Sequence, residues 1–322
     1  MTVRGYQSCR WVAAALRSAA ALAGLAAIAF CAGCGRSGEA QAVNATNVAT
    51  EAPAVEGEPS WPLTGEIIGI NLERRSLLVT HDEIKDFMPP MTMEFVVSDG
   101  DLAIAKEGQR IRARLVQRGD EYFLEQIWPD DAATAAAIAA GAEALAKETA
   151  ALNKRIYTFR DLGEQAPTFT LYDQDARVVD MNRFRGKKIV LNFIYTRCPV
   201  ATMCPAATLK MTQLQQAARE KGLSDVELIS ISLDPNYDTP GVLREYANAR
   251  GIDTSNFSFL TGPEAAVQNL LRQLSITSFF EEGVIKHSLN TIVIGPDGKL
   301  VYRNDTEKWT PAEFLEQLQK LN

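Results

Sequence analysis

The chain has 322 residues, 46% of them hydrophobic, and a formal net charge of −7 at pH 7. This length allows two domains with ordinary cores and connecting segments between them. Acidic and basic residues are mixed without a long run of one sign, so no surface that neutralises nucleic-acid phosphates is expected. Nucleic acid is therefore excluded as a partner.

The N-terminus has the order of residues that is typical of an export signal. Arg4, Arg10 and Arg17 come before an Ala/Leu-rich run, 18–32, which is shorter than the ~20 residues needed to cross a bilayer. The run ends in Cys-Ala-Gly-Cys, which resembles a bacterial lipoprotein signal with Cys34 as the lipidated residue. We expect the protein in the cell envelope, on the periplasmic side, held to the membrane by this lipid. An uncleaved anchor and plain secretion are the alternatives.

Changes in composition mark the first part of the mature chain. From Gly35 to Pro59 large apolar residues are almost absent, which predicts a flexible tether. Between Trp61 and Trp128 five short runs alternate apolar and polar residues, and they predict a small all-β, OB-like barrel. The runs are Glu66–Ile70, Ser76–Thr80, Met91–Val97, Arg110–Gln117 and Tyr122–Trp128.

The second half of the chain has a helical and then a mixed pattern. Asp131 to Leu152 is Ala-rich, which favours a spacer helix between domains. From Phe159 onward buried strands and helices alternate, which predicts an α/β sheet layered with helices. Strands are expected at 189–195, 226–233 and 257–261, helices at 205–220, 240–249, 263–274 and 311–321, and a hairpin turn at 296–298. The expected division is a lipoprotein-type signal peptide 1–34, a flexible tether 35–60, a barrel 61–130, a helical linker 131–155 and an α/β domain 156–322.

The barrel region contains a cluster of soft ligand atoms. Three of the seven methionines, Met88, Met91 and Met93, fall within six residues, close to His81, which is one of only two histidines. Met91 and Met93 are two residues apart, so on a strand they project from the same face. Thioether sulfur is soft and uncharged, so this set favours Cu(I) or Ag(I) over zinc or magnesium. The alternative is that the methionines only fill the barrel core.

The sequence Met88-Pro89-Pro90-Met91-Thr92-Met93 after His81 resembles the site of CusF, a small periplasmic copper-binding barrel. In that family a histidine, a tryptophan and a Met-x-Met pair hold copper. The resemblance therefore implies Cu(I) ligation by His81, Met91 and Met93. Met88 stands where that family has its tryptophan, so a thioether replaces the aromatic cap, either as a ligand or as a shield.

Cys198 and Cys204 form a second cluster, since the three N-terminal cysteines belong to the signal and its lipid site. They lie between a buried strand and a helix, whose N-terminus favours thiolates, so both sulfurs are expected to react near neutral pH. Such a pair could exchange disulfides, bind a soft metal or form an ordinary structural disulfide. His287 precedes a strand that is expected beside the cysteine strand, which favours a site of two sulfurs and one nitrogen. A hydrogen-bonded structural histidine is the alternative.

From about Leu162 to Leu321 the chain resembles the Sco (SenC) family, copper proteins with a thioredoxin-like fold that are linked to cytochrome oxidase assembly. The resemblance is carried by Tyr195-Thr196-Arg197-Cys198-Pro199, Cys204-Pro205, Ser232-Leu233-Asp234-Pro235, Asp238-Thr239-Pro240 and His287 before Pro296-Asp297-Gly298. In that family two cysteines and a distal histidine hold Cu(I) or Cu(II), which implies these roles for Cys198, Cys204 and His287. The family has three residues between its cysteines, whereas this chain has five.

The two resemblances imply a copper metallochaperone. The barrel is expected to capture Cu(I) and pass it to the cysteine site, which delivers it to a client such as the copper centre of cytochrome c oxidase. One alternative is a thiol-disulfide oxidoreductase with Cys198 and Cys204 as its redox-active pair, keeping client cysteines reduced. The other is a copper-buffering lipoprotein for tolerance. Only the oxidoreductase reading makes the protein an enzyme.

Overall fold

The structure is a computed structural model that describes residues 58–153, 159–281 and 283–321. The predicted signal, the lipid site at Cys34 and all but the end of the predicted tether lie outside these residues. The barrel and the C-terminal domain belong to one compact unit.

The N-terminal domain is a closed barrel of five strands. They are β1 Ser60–Asn71, β2 Ser76–His81, β3 Met91–Val96, β4 Arg110–Arg118 and β5 Glu121–Pro129, in the spatial order β1-β2-β3-β5-β4. Alternate side chains such as Val79 and Phe95 point inward and are fully buried, as the period of two predicts. The five predicted runs are confirmed as strands. β1 begins earlier than predicted because Trp61 and Leu63 pair with β4.

A short helix, α1 Asp99–Ile104, connects β3 to β4 and was not predicted. It begins after Ser98, whose Oγ accepts a hydrogen bond from the Asp101 backbone N–H at 3.0 Å. Its six residues span less than two turns, which is too short for a helical period to be read from sequence.

The C-terminal domain is a seven-stranded sheet with helices packed against it. Its strands are β6 Thr170–Asp173, β7 Val178–Asp180, β8 Lys188–Ile194, β9 Val226–Ser232, β10 Phe257–Thr261, β13 Thr291–Ile294 and β14 Leu300–Asn304. Its helices are α2 Ala132–Leu152, α3 Cys204–Glu220, α4 Pro240–Ala249, α5 Glu264–Gln273 and α6 Pro311–Gln319, with a 3-10 helix at Met181–Phe184. The spatial order of the strands is β14-β13-β8-β9-β10-β6-β7. A separate hairpin is formed by β11 Ser278–Glu281 and β12 Val284–His287.

The predicted α/β alternation is confirmed, and the helix 240–249 and the strand 257–261 have the predicted bounds. The central strands β8, β9 and β10 are parallel, and β13 lies antiparallel beside β8. The carboxyl ends of β8 and β9 therefore lie at the same edge of the sheet. Two short strands at its margin, β6 and β7, and the hairpin β11-β12 were not predicted.

Helix α2 agrees with the predicted helical segment, but it is not a free spacer. It packs against α5 and against strands β6 and β7, and its Leu145 and Leu152 are buried. At Gly141 the contact is so close that an added Cβ would lie 2.3 Å from the Thr170 Cβ. Small residues let a helix approach its neighbours closely, so an Ala-rich composition suits this packed surface as well as it suits a spacer.

Candidate metal sites

Cys198 and Cys204 lie at the two ends of the loop that joins β8 to α3. β8 is buried along its whole length and brings the chain to the carboxyl edge of the sheet. Cys198 is half-buried in the loop, whereas Cys204 is the first residue of α3 and only 2% exposed. Both are free thiols.

The His287 ring lies against Cys204. His287 is the last residue of β12, and its Nε2 is 3.8 Å from the Cys204 Sγ. Its Nδ1 is 3.0 Å from the Ser288 carbonyl oxygen, which can only accept, so Nδ1 carries the proton and donates. The lone pair of Nε2 therefore faces the thiol. Burial lowers the pKa of His287, which keeps the ring neutral and free to bind a metal.

The two thiols differ in acidity. Burial raises the pKa of Cys204. Burial also opposes ionisation of Cys198, but hydrogen bonds from the backbone of Val200 and Cys204 outweigh it and lower the pKa of Cys198. The prediction that both thiols ionise near neutral pH is therefore wrong for Cys204, because desolvation outweighs its place at a helix N-terminus.

Asp238 anchors the loop that leads to Cys198. Its carboxylate accepts hydrogen bonds from the Thr196 backbone N–H at 3.1 Å, from the Thr196 hydroxyl, and from the Ser232 hydroxyl at 2.6 Å. Asp238 is fully buried, and this burial raises its pKa to about 6. In the sequence, Asp238 stands out only as part of a family motif, and the Asp-Thr-Pro sequence is the signal for its position before a helix.

Arg197 adds a second anchor directly before Cys198. Its Nε donates to the Asp234 carboxylate at 2.6 Å, and its guanidinium carbon lies 4.6 Å from the centre of the Tyr237 ring. The segment after β9 therefore holds the cysteine loop from two sides, through Asp238 and Asp234.

The Cys204 and His287 pair fits one metal ion. For bond lengths of about 2.3 Å to sulfur and about 2.0 Å to nitrogen, an Sγ to Nε2 distance of 3.8 Å corresponds to an angle of roughly 120° at the metal. Cys198 supplies a second sulfur from the same loop. Across residues 58–153, 159–281 and 283–321, no group of three or more His, Cys, Asp and Glu side chains is already arranged to hold a metal ion.

In the barrel the strand register brings the soft ligands to one end of one face. His81, at the end of β2, lies directly opposite Met91, and Val79 lies opposite Met93. Opposed residues of an antiparallel pair project to the same side, so the imidazole and both thioethers share a face with Val79. His81 is 1% exposed and Met91 is 44% exposed, so the cluster opens to solvent through Met91.

The His81 ring is held in the same way as that of His287. Its Nδ1 is 2.7 Å from the Asp82 carbonyl oxygen and donates to it, so Nε2 keeps its lone pair. Nε2 is buried and has no hydrogen-bond partner among the described residues. Leaving a buried polar atom unpaired costs about 1–3 kcal/mol, which a bond to a metal would offset. An unpaired imidazole nitrogen beside thioethers fits a soft cation.

Met88 lies in the turn between β2 and β3. The backbones of Ile84 and Met88 exchange hydrogen bonds of 2.9 and 3.0 Å, and the Met88 side chain packs against the barrel core. The neighbouring Phe87 ring stacks on Trp61, with centroids 3.6 Å apart. This stack was not predicted, because the two aromatic residues are far apart in the chain and no local pattern links them.

Two family models match different parts of the chain. The family model for copper binding periplasmic protein CusF matches residues 60–129, and the SCO1/SenC family model matches residues 160–322. The chain belongs to the SCO1/SenC family. Over 161 residues it is 31% identical to the SCO1 protein homolog of Bacillus subtilis (strain 168), and this alignment covers 48% of the chain and 80% of that protein.

Two solved structures are similar to the SCO1/SenC part of the chain. A SCO1/SenC family lipoprotein from Bacillus anthracis str. Ames is 26% identical, with a TM-score of 0.47, over 51% of this chain and 98% of that one. ScoI from Bradyrhizobium japonicum, solved with copper bound, is 24% identical, with a TM-score of 0.43, over 49% and 100%.

Both family resemblances predicted from the sequence are confirmed, and copper is named for the CusF family and for the copper-bound ScoI structure. The C-terminal domain has the thioredoxin-like fold of the SCO1/SenC family. None of the helices in the described part of the chain is both long and apolar enough to cross a membrane.

Proposed function

We propose that this SCO1/SenC protein is a periplasmic copper metallochaperone with two copper sites. The barrel site consists of His81, Met88, Met91 and Met93, and the thiol site consists of Cys198, Cys204 and His287. The observation that carries the proposal is the Nε2 lone pair of His287 at 3.8 Å from the Sγ of a free cysteine. A neutral imidazole beside a thiol is a strong donor set for a soft ion.

The barrel is proposed to be OB-like. A five-stranded closed sheet of this size, with a short helix between its third and fourth strands, supports that assignment. Its copper site lies at one end of the barrel and is open through Met91. Cu(I) is therefore expected to reach the thioethers directly from solvent.

Copper is the cargo, and its transfer is a ligand exchange without a change of oxidation state. Cu(I) leaves thioethers and an imidazole, and it binds thiolates and an imidazole. Because burial raises the pKa of Cys204, binding to its sulfur releases a proton to solvent. Thiolates bind Cu(I) more tightly than thioethers, so transfer toward the cysteines is favourable. Linkage within one chain raises the local concentration of the donor site.

Competitive Cu(I) titration of the full chain tests the thiol site. Cys198→Ala and His287→Ala are each expected to weaken it, because each removes one ligand. His81→Ala is the matched control, since it removes an imidazole from the barrel and leaves all three thiol-site residues in place. Unchanged affinity in both thiol-site variants would refute the assignment.

The client is proposed to be the copper-centre subunit of cytochrome c oxidase, and the chain is proposed to be held at the periplasmic side of the membrane by lipid at Cys34. Membership of the SCO1/SenC family and the match to a periplasmic copper-binding family support this proposal. A deletion strain should lose oxidase activity, and added copper should restore part of it. Normal oxidase activity in the deletion strain, together with copper sensitivity, would contradict this client.

A second candidate function is thiol-disulfide oxidoreduction, which the unequal thiols favour. The half-buried Cys198, whose pKa is lowered, can attack a client disulfide as a thiolate. Cys204 then attacks the mixed disulfide, which leaves a reduced client dithiol and a Cys198–Cys204 disulfide. This exchange does not require His287 as a ligand, so disulfide reductase activity that survives His287→Ala would favour this function over copper delivery.

A further inference from the structure

A buried carboxyl group lies at the contact between the two domains. Helix α1 of the barrel packs on α4 of the thioredoxin-like domain. At the closest approach a Cβ added to Gly100 would lie 2.0 Å from the Gly241 carbonyl oxygen, so the helices come this close only because both positions are glycine. Asp101 lies at the same place and is 6% exposed, and a Cβ added to Gly241 would lie 2.0 Å from its Oδ1.

Only one oxygen of this carboxyl group has a hydrogen-bond partner. Oδ2 accepts from the Ser98 hydroxyl at 2.7 Å, whereas Oδ1 is buried and has no partner within the described residues. Among the described residues, two carboxylates act on Asp101, Glu245 on α4 and Glu125 on β5. Glu125 is itself paired with Arg114 at 2.5 Å and with Arg118 at 2.6 Å. Burial, with a smaller effect from the two carboxylates, raises the pKa of Asp101 to about 7.

We propose that Asp101 is a proton-controlled latch between the barrel and the thioredoxin-like domain. The neutral carboxyl group fits the tight contact on Gly241. The carboxylate in the same place is desolvated, has an unpaired oxygen and faces Glu245, so ionisation weakens the contact. Acidic pH therefore holds α1 on α4, and rising pH releases it.

The direction of the effect follows from proton linkage. In the docked state the pKa of Asp101 is about 7, against an ordinary value of 3.8 for an exposed carboxyl group. Between these values the docked state binds more protons, so docking weakens by about tenfold for each unit of rising pH and changes no further above the docked pKa. Other contacts across this surface do not involve a carboxyl group, although the Arg112 guanidinium lies 5.3 Å from the centre of the Trp128 ring. These contacts include the Trp128 ring at 5.7 Å from Tyr172 and the Gln126 side chain at 3.4 Å from the Asn236 carbonyl oxygen.

A short chain segment connects the Asp101 contact to the residues that hold the cysteine loop. Asp238, which accepts the hydrogen bonds of Thr196, comes just before Gly241 in the chain. A change of packing at Gly241 therefore acts at the base of the segment that holds the loop. The latch itself does not depend on the proposed function. If copper delivery holds, protonation sets how the donor and acceptor domains are arranged.

Hydrogen exchange of the full-length, metal-free chain between pH 5 and 8 tests the latch. An isolated helix of this length is unstable, so the amides of Leu102 and Ala105 in and after α1 should exchange when α1 leaves α4. The exchange rate of an unstructured chain at each pH is divided by the observed rate to give a protection factor. We expect these factors to fall by about tenfold per pH unit from pH 5 to near 7 and then to level off.

Three variants separate the latch from a merely structural effect. Asp101→Asn keeps the shape and cannot ionise, so its protection factors should not change with pH. Asp99→Asn removes an exposed acid of the same helix, which pairs with Arg75, and should keep the wild-type slope. Glu245→Gln removes a facing carboxylate and should move the levelling-off point to lower pH. Equal slopes in wild type and Asp101→Asn, or a flat wild-type profile, would overturn the proposal. The measurement uses no copper, so its failure leaves the copper sites untouched.

Discussion

The barrel site and the thiol site present the same histidine arrangement on two unrelated folds. In each, Nδ1 donates to the carbonyl of the next residue, at 2.7 Å for His81 and 3.0 Å for His287, and Nε2 keeps its lone pair. The sulfur ligands differ. Thioethers carry no proton, whereas the Cys204 thiol holds a proton firmly because it is buried. Under the proposed assignment, metal binding is independent of protons at the barrel sulfurs and coupled to protons at Cys204.

The two sites also differ in solvent exposure. Met91 is 44% exposed at the open end of the barrel, whereas Cys204 is 2% exposed beneath the hairpin that carries His287. An open, uncharged site exchanges metal readily, and a buried site with thiolate ligands retains it. This difference in exposure is consistent with the proposed entry of Cu(I) at the methionines and its retention at the cysteines.

Removal of one sulfur ligand from each site should give the largest difference in Cu(I) affinity between the two sites. Structural zinc sites bind their metal with a free energy on the order of 10–16 kcal/mol, and the thiol site is expected to be comparable. Cys204→Ser removes one of its few ligands, so we expect at least a roughly thousandfold loss of Cu(I) affinity. Met91→Leu keeps the volume and leaves two other thioethers, so we expect a loss of about tenfold to a hundredfold. Competition with a chromophoric Cu(I) chelator measures both. A Cys204→Ser affinity close to that of the wild type would end the distinction between the sites.

The pH dependence of affinity should distinguish the two sites next most strongly. The raised pKa of Cys204 means that Cu(I) displaces its proton, so thiol-site affinity should rise by about tenfold per pH unit below that pKa. From pH 7 to 9 this amounts to about a hundredfold. The three thioethers contribute no such slope. Titrations of a Met91→Leu, Met93→Leu chain and of a Cys198→Ser, Cys204→Ser chain isolate the two sites, and parallel slopes would contradict the assignment.

Local periodicity was enough to predict the strands that position the site residues. The spacing of Met91 and Met93 placed both side chains on one face, and the register of β2 with β3 agrees. The buried strand before Cys198 and its neighbour after His287 were predicted from continuous apolar runs, and β13 does pair with β8. These features depend on residues within a few positions of one another, which a sequence displays directly.

Features that depend on tertiary packing could not be predicted in this way. His287 does not lead directly into β13 but ends an exposed hairpin, and Phe279 and Phe280 in that hairpin show no buried alternation. The thiol acidity was predicted from the helix N-terminus, but burial of Cys204 depends on elements far away in the chain. Likewise, the sequence indicates only that Gly141 is unfavourable in a helix, whereas the structure shows that its lack of a side chain makes room for Thr170.

Loss of the Asp238 carboxylate, which anchors the cysteine loop, should lower the Cu(I) affinity of the thiol site only. Asp238→Asn leaves Thr196 and Ser232 with a weaker acceptor, and loss of such supporting contacts typically costs about 10–100-fold in metal affinity. Barrel affinity should not change, since Asp238 holds no barrel residue among its hydrogen-bond partners. Asp253→Asn is the control, because it removes an exposed carboxylate that is paired with Arg219. Equal losses in the two variants would argue against a positioning role for Asp238.

The aromatic stack beside Met88 should have the smallest effect, and only on the barrel. Trp61→Leu removes the ring that lies 3.6 Å from Phe87, and an aromatic pair contributes about 0.5–1.5 kcal/mol beyond its buried area. We therefore expect a lower unfolding temperature and a Cu(I) affinity of the barrel reduced by only a few-fold, since no ligand is lost. Trp309→Leu, in the other domain, is the matched control for loss of a tryptophan, and it should leave barrel affinity unchanged. A loss in Trp61→Leu as large as that in Met91→Leu would mean that an aromatic face covers the metal after all, and the barrel would then depend on a cation-π contact as well as on sulfur.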